Sequence, residues 1–136
     1  MAVVEEILRS EADGTISFGN HILENKAKVE DFEHLGDLYK VKTYKTMTKL
    51  ERNGMFVYES VPGTSVQHFA EDAESVCFRV EGSEDAQITV GLEEDAEYEV
   101  LVGDQSIGKM KTNLGGKLNI SVELAGAGEV SVKIVK

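Results

Sequence analysis

Alternation of apolar and polar residues is the dominant pattern of this chain, and it is most regular in 97–123. Apolar side chains occupy every second position of 118–124, with polar side chains between them. Successive side chains of a strand point to opposite faces, so such a segment has one buried and one solvated face. Gly103-Asp104 and Gly115-Gly116 supply the backbone conformations that hairpin turns need. The pattern predicts three strands joined by tight turns, with Gly108 marking a bulge or a close backbone approach.

The same alternation continues, less regularly, through the first half of the chain. Residues 3–8 combine a helical spacing with β-branched residues, and the turn signal Asp13-Gly14 favours a strand that pairs with 15–18. Asn53-Gly54, flanked by strand-like segments, is the strongest hairpin signal of the sequence. In 38–44 lysines alternate with apolar residues, which is typical of a sheet edge or an open face. Strands spaced about eight to twelve residues apart, with turn signals between them, indicate a sandwich or a barrel.

The predicted fold class is therefore all-β: an antiparallel β-sandwich with an immunoglobulin-like C-terminal half and a smaller β-rich N-terminal half packed on it. Lysines concentrate before Pro62-Gly63, whereas 59–95 is strongly acidic with Arg79 as its single basic residue. This shift in composition places a soft boundary between a β-rich subdomain at 1–63 and a sandwich at 64–136. A single domain is the alternative, because a chain of this length fits either arrangement.

The charge of the chain limits its partners. The formal net charge is −11 over 136 residues. Nucleic acids and anionic membranes attract clustered Lys and Arg, so neither is an expected partner. Solubility is the simplest explanation of the acidity, and a cation-facing surface is the alternative. The sequence shows neither a secretory signal pattern nor an apolar run of membrane-spanning length, so a cytoplasmic location is expected.

Residues that carry chemistry are few. Cys77 is the single cysteine, which excludes an intrachain disulfide and a multi-cysteine metal site and favours a structural thiol. His21, His34 and His68 lack the spacing of zinc ligands. Adjacent carboxylates such as Glu84-Asp85 fit solvated turns better than a glycosidase pair or a calcium loop. The sequence predicts no catalytic residue, no metal ligand and no cofactor.

Four aromatic residues are the candidates for ligand binding: Tyr39, Tyr44, Phe56 and Tyr58. They cluster in a chain that has no tryptophan. Phe56 and Tyr58 are two residues apart, so both are expected on one strand face, where an exposed pair would form a platform for a ligand. Packing in the core is the alternative role for most of them.

A motif in 94–124 extends this picture. Its matching positions are Tyr98, Val100, Val102, Gly108, Thr112, Gly116 and Leu118. The motif resembles the immunoglobulin-like β-sandwich modules of bacterial polysaccharide-active and cell-surface proteins, although Gly103-Asp104 stands where those modules have Asp-Gly. The resemblance implies a sandwich fold for the second half, and a fold of this kind hosts many functions.

The whole chain is also similar to short all-β proteins of anaerobic Firmicutes, some of which are labelled endosialidases. That label implies a site in which three arginines hold the carboxylate of an acidic sugar. The arginines of this chain are Arg9, Arg52 and Arg79. They would have to come together from separate strands.

The leading functional hypothesis is a non-catalytic β-sandwich protein that acts through self-assembly or protein binding, as a homo-oligomer. Open strand edges must be covered or charged, and self-association is a common way to cover them. The alternative is a glycan-binding module, which predicts an exposed aromatic face. A third hypothesis is a hydrolase on acidic glycans, of the endosialidase type.

Overall fold

Within residues 3–136, the part of the chain that the computed structural model describes, the regular structure consists of thirteen β-strands. In chain order they are β1 (Leu8–Ser10), β2 (Ile16–Phe18), β3 (Ala27–His34), β4 (Asp37–Tyr44), β5 (Met47–Arg52), β6 (Met55–Val61), β7 (Ser65–Glu71), β8 (Ser75–Glu81), β9 (Ala86–Gly91), β10 (Glu97–Val102), β11 (Gln105–Lys111), β12 (Lys117–Val122) and β13 (Val130–Val135). Adjacent strands pair antiparallel throughout the described chain.

The strands form two sheets that pack face to face as a β-sandwich. One sheet has seven strands in the order β1-β2-β7-β8-β13-β10-β11, and the other has six in the order β12-β9-β6-β5-β4-β3. Along most strands alternate side chains point inward and are buried, as the sequence alternation requires. The prediction of an all-β antiparallel sandwich is confirmed.

The core lies between the two sheets and is centred on four aromatic rings. Phe18 and Tyr58 meet edge to face with their ring centroids 5.2 Å apart, and Tyr58 meets Phe78 in the same way at 5.6 Å. Phe69 stacks on Phe78 at 5.6 Å. Such aromatic pairs add stability beyond the area they bury. The rings come from both sheets and from both halves of the chain, so they join the two layers.

The sheets combine strands from either side of residue 63. In the seven-stranded sheet β2 pairs with β7, and in the six-stranded sheet β6 pairs with β9. The predicted boundary between 1–63 and 64–136 falls in the connection from β6 to β7, where the chain passes from one sheet to the other.

Local signals of the sequence agree with the structure at the turns. Asn53 and Gly54 have φ values of 52° and 78°, and two positive values are what the predicted type I′ hairpin requires. The bulge predicted at Gly108 is also confirmed, because Val100 pairs with Gly108 while the next residue, Leu101, pairs with Ser106. Gly108 has a φ of 107°, a conformation that favours glycine.

The first predicted strand is wrong in its extent. Residues 3–7 lie outside regular structure, and the strand begins only at Leu8. The N–H of Ile7 donates a hydrogen bond to the C=O of Val4 at 2.9 Å, which closes a turn there. The helical spacing of the apolar residues in this segment fits that turn, and the predicted partner strand does form at Ile16–Phe18.

The described chain contains no helix with the length and the apolar character that are needed to cross a bilayer.

Candidate functional site

The four aromatic residues predicted as ligand-binding candidates lie on opposite faces of the six-stranded sheet. Tyr39 and Tyr58 point into the core and are buried. The hydroxyl of Tyr58 lies 2.7 Å from Thr64 Oγ1, and burial raises the pKa of Tyr58 well above its usual range. Tyr44 and Phe56 are half-buried on the outer face. Two of the four rings are therefore inside the sandwich and two are on its surface, so the four do not form a single binding platform.

A β-bulge in β6 separates Phe56 from Tyr58. Leu50 pairs with Tyr58, and the next residue along β5, Glu51, pairs with Phe56. The bulge thus inserts Val57 as an extra residue and reverses the side to which Phe56 points. The prediction that Phe56 and Tyr58 share one strand face is wrong for this reason.

Each outer ring faces a lysine. The ammonium nitrogen of Lys26 lies 5.7 Å from the ring centre of Tyr44, and that of Lys117 lies 4.6 Å from the ring centre of Phe56. Cation–π contacts at such distances are favourable and leave the lysine charge accessible to solvent. The outer face thus carries two pairs in which an aromatic ring lies next to a positive charge.

The three arginines enter three separate ion pairs. These are Arg9 with Glu11 at 3.0 Å, Arg52 with Glu71 at 2.6 Å and Arg79 with Glu129 at 3.5 Å. Arg9 and Arg79 lie in the seven-stranded sheet, and Arg52 lies in the six-stranded one. A substrate carboxylate would compete with a protein carboxylate at each arginine. A hydrolase on acidic glycans stays a prediction.

Glu11 is the most heavily bonded of these carboxylates. It accepts hydrogen bonds from Ser17 Oγ at 2.5 Å and from Arg9 Nε at 3.1 Å. These bonds, with that from Ser17 the stronger, hold the pKa of Glu11 below its usual range. Because Arg9 lies in β1 and Ser17 in β2, the cluster ties the short first strand to its neighbour.

A cleft of about 660 Å³ opens at one end of the sandwich, where the turns after β5, β7 and β9 meet. Its apolar surface includes Phe56 and Leu92, and its rim includes the ion pair of Arg52 and Glu71. Small-molecule sites have volumes of about 300–1,000 Å³. An apolar wall beside an ion-paired rim suits binding. Of the four aromatic candidates, Phe56 lines this cleft.

A contact between a serine and a histidine lies inside the sandwich. His21 Nδ1 lies 2.7 Å from Ser65 Oγ, and the side chain of His21 is 3 % exposed. Among the described residues His21 Nε2 has no hydrogen-bond partner. Burial lowers the pKa of His21, and the nearby carboxylate of Glu81 partly opposes that shift. Because both side chains are buried, this contact belongs to the core. No local pattern predicts this contact, since the two residues are 44 positions apart.

The other histidines and the cysteine are dispersed. His34 Nδ1 lies 2.7 Å from Ser10 Oγ, and His68 Nδ1 lies 3.1 Å from a carboxylate oxygen of Asp13. Cys77 is a free, half-buried thiol. Within the part of the chain that the structure describes, no group of three or more His, Cys, Asp or Glu side chains could hold a metal ion.

One edge of the six-stranded sheet is regular and open. β12 pairs with β9 over six consecutive residues without a bulge. Just before the strand, the C=O of Gly116 accepts a hydrogen bond from the N–H of Leu92 at 2.7 Å on the β9 side. Backbone groups of successive residues in an antiparallel strand point to alternate sides. The N–H and C=O groups of Asn119 and Ser121 are therefore directed away from β9, toward the open edge.

Exposed apolar side chains accompany this edge. Leu114, in the turn that leads into β12, is 82 % exposed, and Ile107 on β11, an edge strand of the seven-stranded sheet, is 51 % exposed. Single exposed apolar residues are common on protein surfaces. Here two of them lie beside strand edges that can accept further pairing, so this side of the sandwich is suited to contact with another chain.

No family model matches the chain, and neither does any curated protein or any solved structure. A function for this chain is therefore inferred from its own surfaces.

Proposed function

We propose that this protein is a non-catalytic β-sandwich protein that acts by self-assembly, and that two copies pair antiparallel through the edges of their β12 strands. The observation that carries the proposal is the edge itself: β12 has no bulge, and only its first residue, Lys117, is charged. Exposed edges of this kind are templates for strand addition, and natural proteins usually block them.

The sequence of β12 suggests the register of the pair. If a twofold axis passes beside Ile120, Lys117 of one copy lies opposite Glu123 of the other. The same register places Asn119 opposite Ser121. Opposite charges on directly facing strand positions stabilise pairing by about 0.2–1 kcal/mol each. The segment is thus complementary to itself in an antiparallel orientation, as a twofold interface requires.

The backbone supports the same register. The groups directed to the open edge are those of Asn119 and Ser121, and these are the residues that would face each other across the axis. In an antiparallel ladder such a pair exchanges two backbone hydrogen bonds, and the twofold axis repeats the pair. Residues Leu118, Ile120 and Val122 are buried in each copy, so the paired strands would continue one sheet with a common inner face.

The first experiment measures the mass in solution by sedimentation across the micromolar range. We expect a concentration-dependent dimer for the unmodified chain and a monomer for Asn119→Pro. Proline at this position removes an edge N–H and leaves the bonds to β9 in place. Asn119→Ala is the matched control, since it loses the same side chain but keeps the N–H, and it should still dimerise. A clean monomer of the unmodified chain at micromolar concentration would overturn the proposal.

A charge reversal tests the register separately. Lys117→Glu or Glu123→Lys alone should weaken dimerisation about tenfold, because each dimer then has two repulsive contacts in place of two attractive ones. The double reversal should restore the dimer. If all three variants dimerised as strongly as the unmodified chain, the edge would pair in a different register.

A cytoplasmic location belongs to the same proposal. Fractionation of cells that express the chain, followed by detection of the protein in each fraction, tests it.

A further inference from the structure

Three lysines lie directly opposite one another on the outer face of the six-stranded sheet. Lys28 of β3 pairs with Lys42 of β4, which pairs on its other side with Lys49 of β5. Like charges at facing positions of neighbouring strands destabilise a sheet. A row of three such residues therefore costs stability, and a function on this face would explain why the row is present.

Carboxylates on the same face neutralise this row only in part. Glu30 accepts ion pairs from both Lys28, at 2.9 Å, and Lys40, at 3.5 Å. Glu59 faces Lys49 across the strands. Among the described residues, however, neither Lys42 nor Lys49 has a carboxylate within ion-pair distance. The ammonium groups of Lys42, at the centre of the row, and of Lys49, at one end of it, are therefore left for a ligand.

This face differs in charge from the rest of a strongly acidic molecule. Its lysines are Lys26, Lys28, Lys40, Lys42, Lys49 and Lys117, and its glutamates are Glu30, Glu33, Glu51, Glu59 and Glu123. Six lysines against five glutamates leave eight of the fourteen basic residues of the chain against twenty of its twenty-five acidic residues elsewhere. The charges of this chain are therefore segregated, and an anion would be attracted to the lysine row and repelled by the rest of the surface.

We infer that this face binds an anionic polysaccharide along the lysine row. The backbone groups of β4 and β5 are used in the sheet ladders on both sides, so an acidic peptide lying across the face would find few partners for its own N–H and C=O groups. The carboxylates and hydroxyls of a sugar chain need only side chains. Lys42 and Lys49 supply charge. The polar side chains of Gln87 and Thr89, which donate to Ser121 and Asn119, continue the face.

The outer aromatic residues fit the same ligand. Tyr44 and Phe56 flank the lysine row, and each lies against a lysine of its own. A ring beside an ammonium group offers an apolar surface and a positive charge to a carboxylated sugar at one place. The lysine row lies on β3, β4 and β5, away from the β12 edge, and Lys117 beside Phe56 is the one residue that this inference shares with the proposed dimer.

Affinity electrophoresis in gels that contain polygalacturonate tests the inference at low and at high salt. The unmodified chain should be retarded at low salt and released at high salt. Lys42→Gln with Lys49→Gln should weaken binding at least about tenfold. Lys109→Gln with Lys133→Gln, which removes two exposed lysines from the seven-stranded sheet and changes the net charge by the same amount, is the matched control and should bind as before. If the control lost as much binding as the variant at Lys42 and Lys49, the site could not lie on the lysine row.

Other polymers decide the class of ligand. Dextran, which is neutral, should not bind, and poly-glutamate and single-stranded DNA should bind at least about tenfold more weakly than polygalacturonate. Equal binding of all three anions would show an effect of charge alone and overturn the assignment to a polysaccharide. Because removal of Lys42 relieves repulsion, the melting temperature of the double variant should stay equal or rise. A loss of binding with that result cannot be attributed to unfolding.

Discussion

The two edge strands of the six-stranded sheet, β12 and β3, differ in their contacts with the core. On β12 the inward side chains Leu118, Ile120 and Val122 are each 2 % exposed, and the ladder to β9 is unbroken. On β3 the ladder to β4 is interrupted by a bulge at Glu30-Asp31, and His34 is its one buried residue. One edge is held firmly by the core and the other only loosely.

The same two strands also differ in how well they are protected against pairing with another chain. Here β3, the strand with fewer core contacts, is the better protected. Four residues of β3 are charged, and Asp31 has a φ of 55°, which twists the edge out of line. Charge and bulges are the usual means by which an edge avoids pairing. β12 has no bulge, and its one charged residue is Lys117 at its start. The chain therefore protects the edge that contributes little to its core and leaves open the edge that is best anchored.

The largest expected difference between the edges is one of stability. Leu118→Ala should lower the free energy of unfolding by about 2–5 kcal/mol, because it leaves a cavity in a close-packed core. Val29→Ala on β3 should lower it by about 1 kcal/mol, because Val29 is only half-buried. Urea unfolding followed by circular dichroism gives both values, and two protein concentrations separate any contribution of the dimer. Equal losses would contradict the comparison.

Lowering the pH should change the free energy of unfolding through His21, which lies on neither edge strand. Burial lowers the pKa of His21 in the folded state, so the unfolded chain takes up a proton first as the pH falls below about 6.5. The free energy of unfolding should therefore decrease between pH 6.5 and 5, with a slope of at most about 1.4 kcal/mol per pH unit for this group.

The variant His21→Gln should flatten that slope, whereas His68→Gln, at an exposed position, should keep it. Urea unfolding at several pH values measures both. If the two variants showed the same slope, His21 would not be its source.

The smallest effect on stability is expected from removal of the protection of β3. The triple change Lys28→Thr, Glu30→Thr and Glu33→Thr should alter the free energy of unfolding by less than about 0.5 kcal/mol. It should nevertheless produce new association in sedimentation runs, because Asp31 is then the one charged residue left on this edge and an edge with little charge can pair. Glu84→Thr, which changes the net charge by the same amount in a loop, is the control. A triple variant that associates no more than the control would show that the bulge alone protects this edge.

The candidate surfaces could be predicted from the sequence only in part. The strand at 118–124 and its inner face follow from alternation, yet nothing local indicates that this strand ends a sheet. The lysines of 38–44 predict a sheet edge or an open face, and the structure places Lys40 and Lys42 on the open face of a strand that is not an edge. Their alignment with Lys28 and Lys49 depends on the registers of three strands, which the sequence does not display.

Alternation and turn conformation are properties of a few consecutive residues, so the sequence alone predicts most of the inward side chains, the turns and the all-β fold. The tertiary structure was needed for the order of the strands, for the bulge that separates Phe56 from Tyr58 and for the assignment of β12 and β3 as edges. These features depend on pairings between residues far apart in the chain, such as β2 with β7 and β6 with β9. Such pairings are set by how well whole faces pack together, and no short stretch of sequence contains that information.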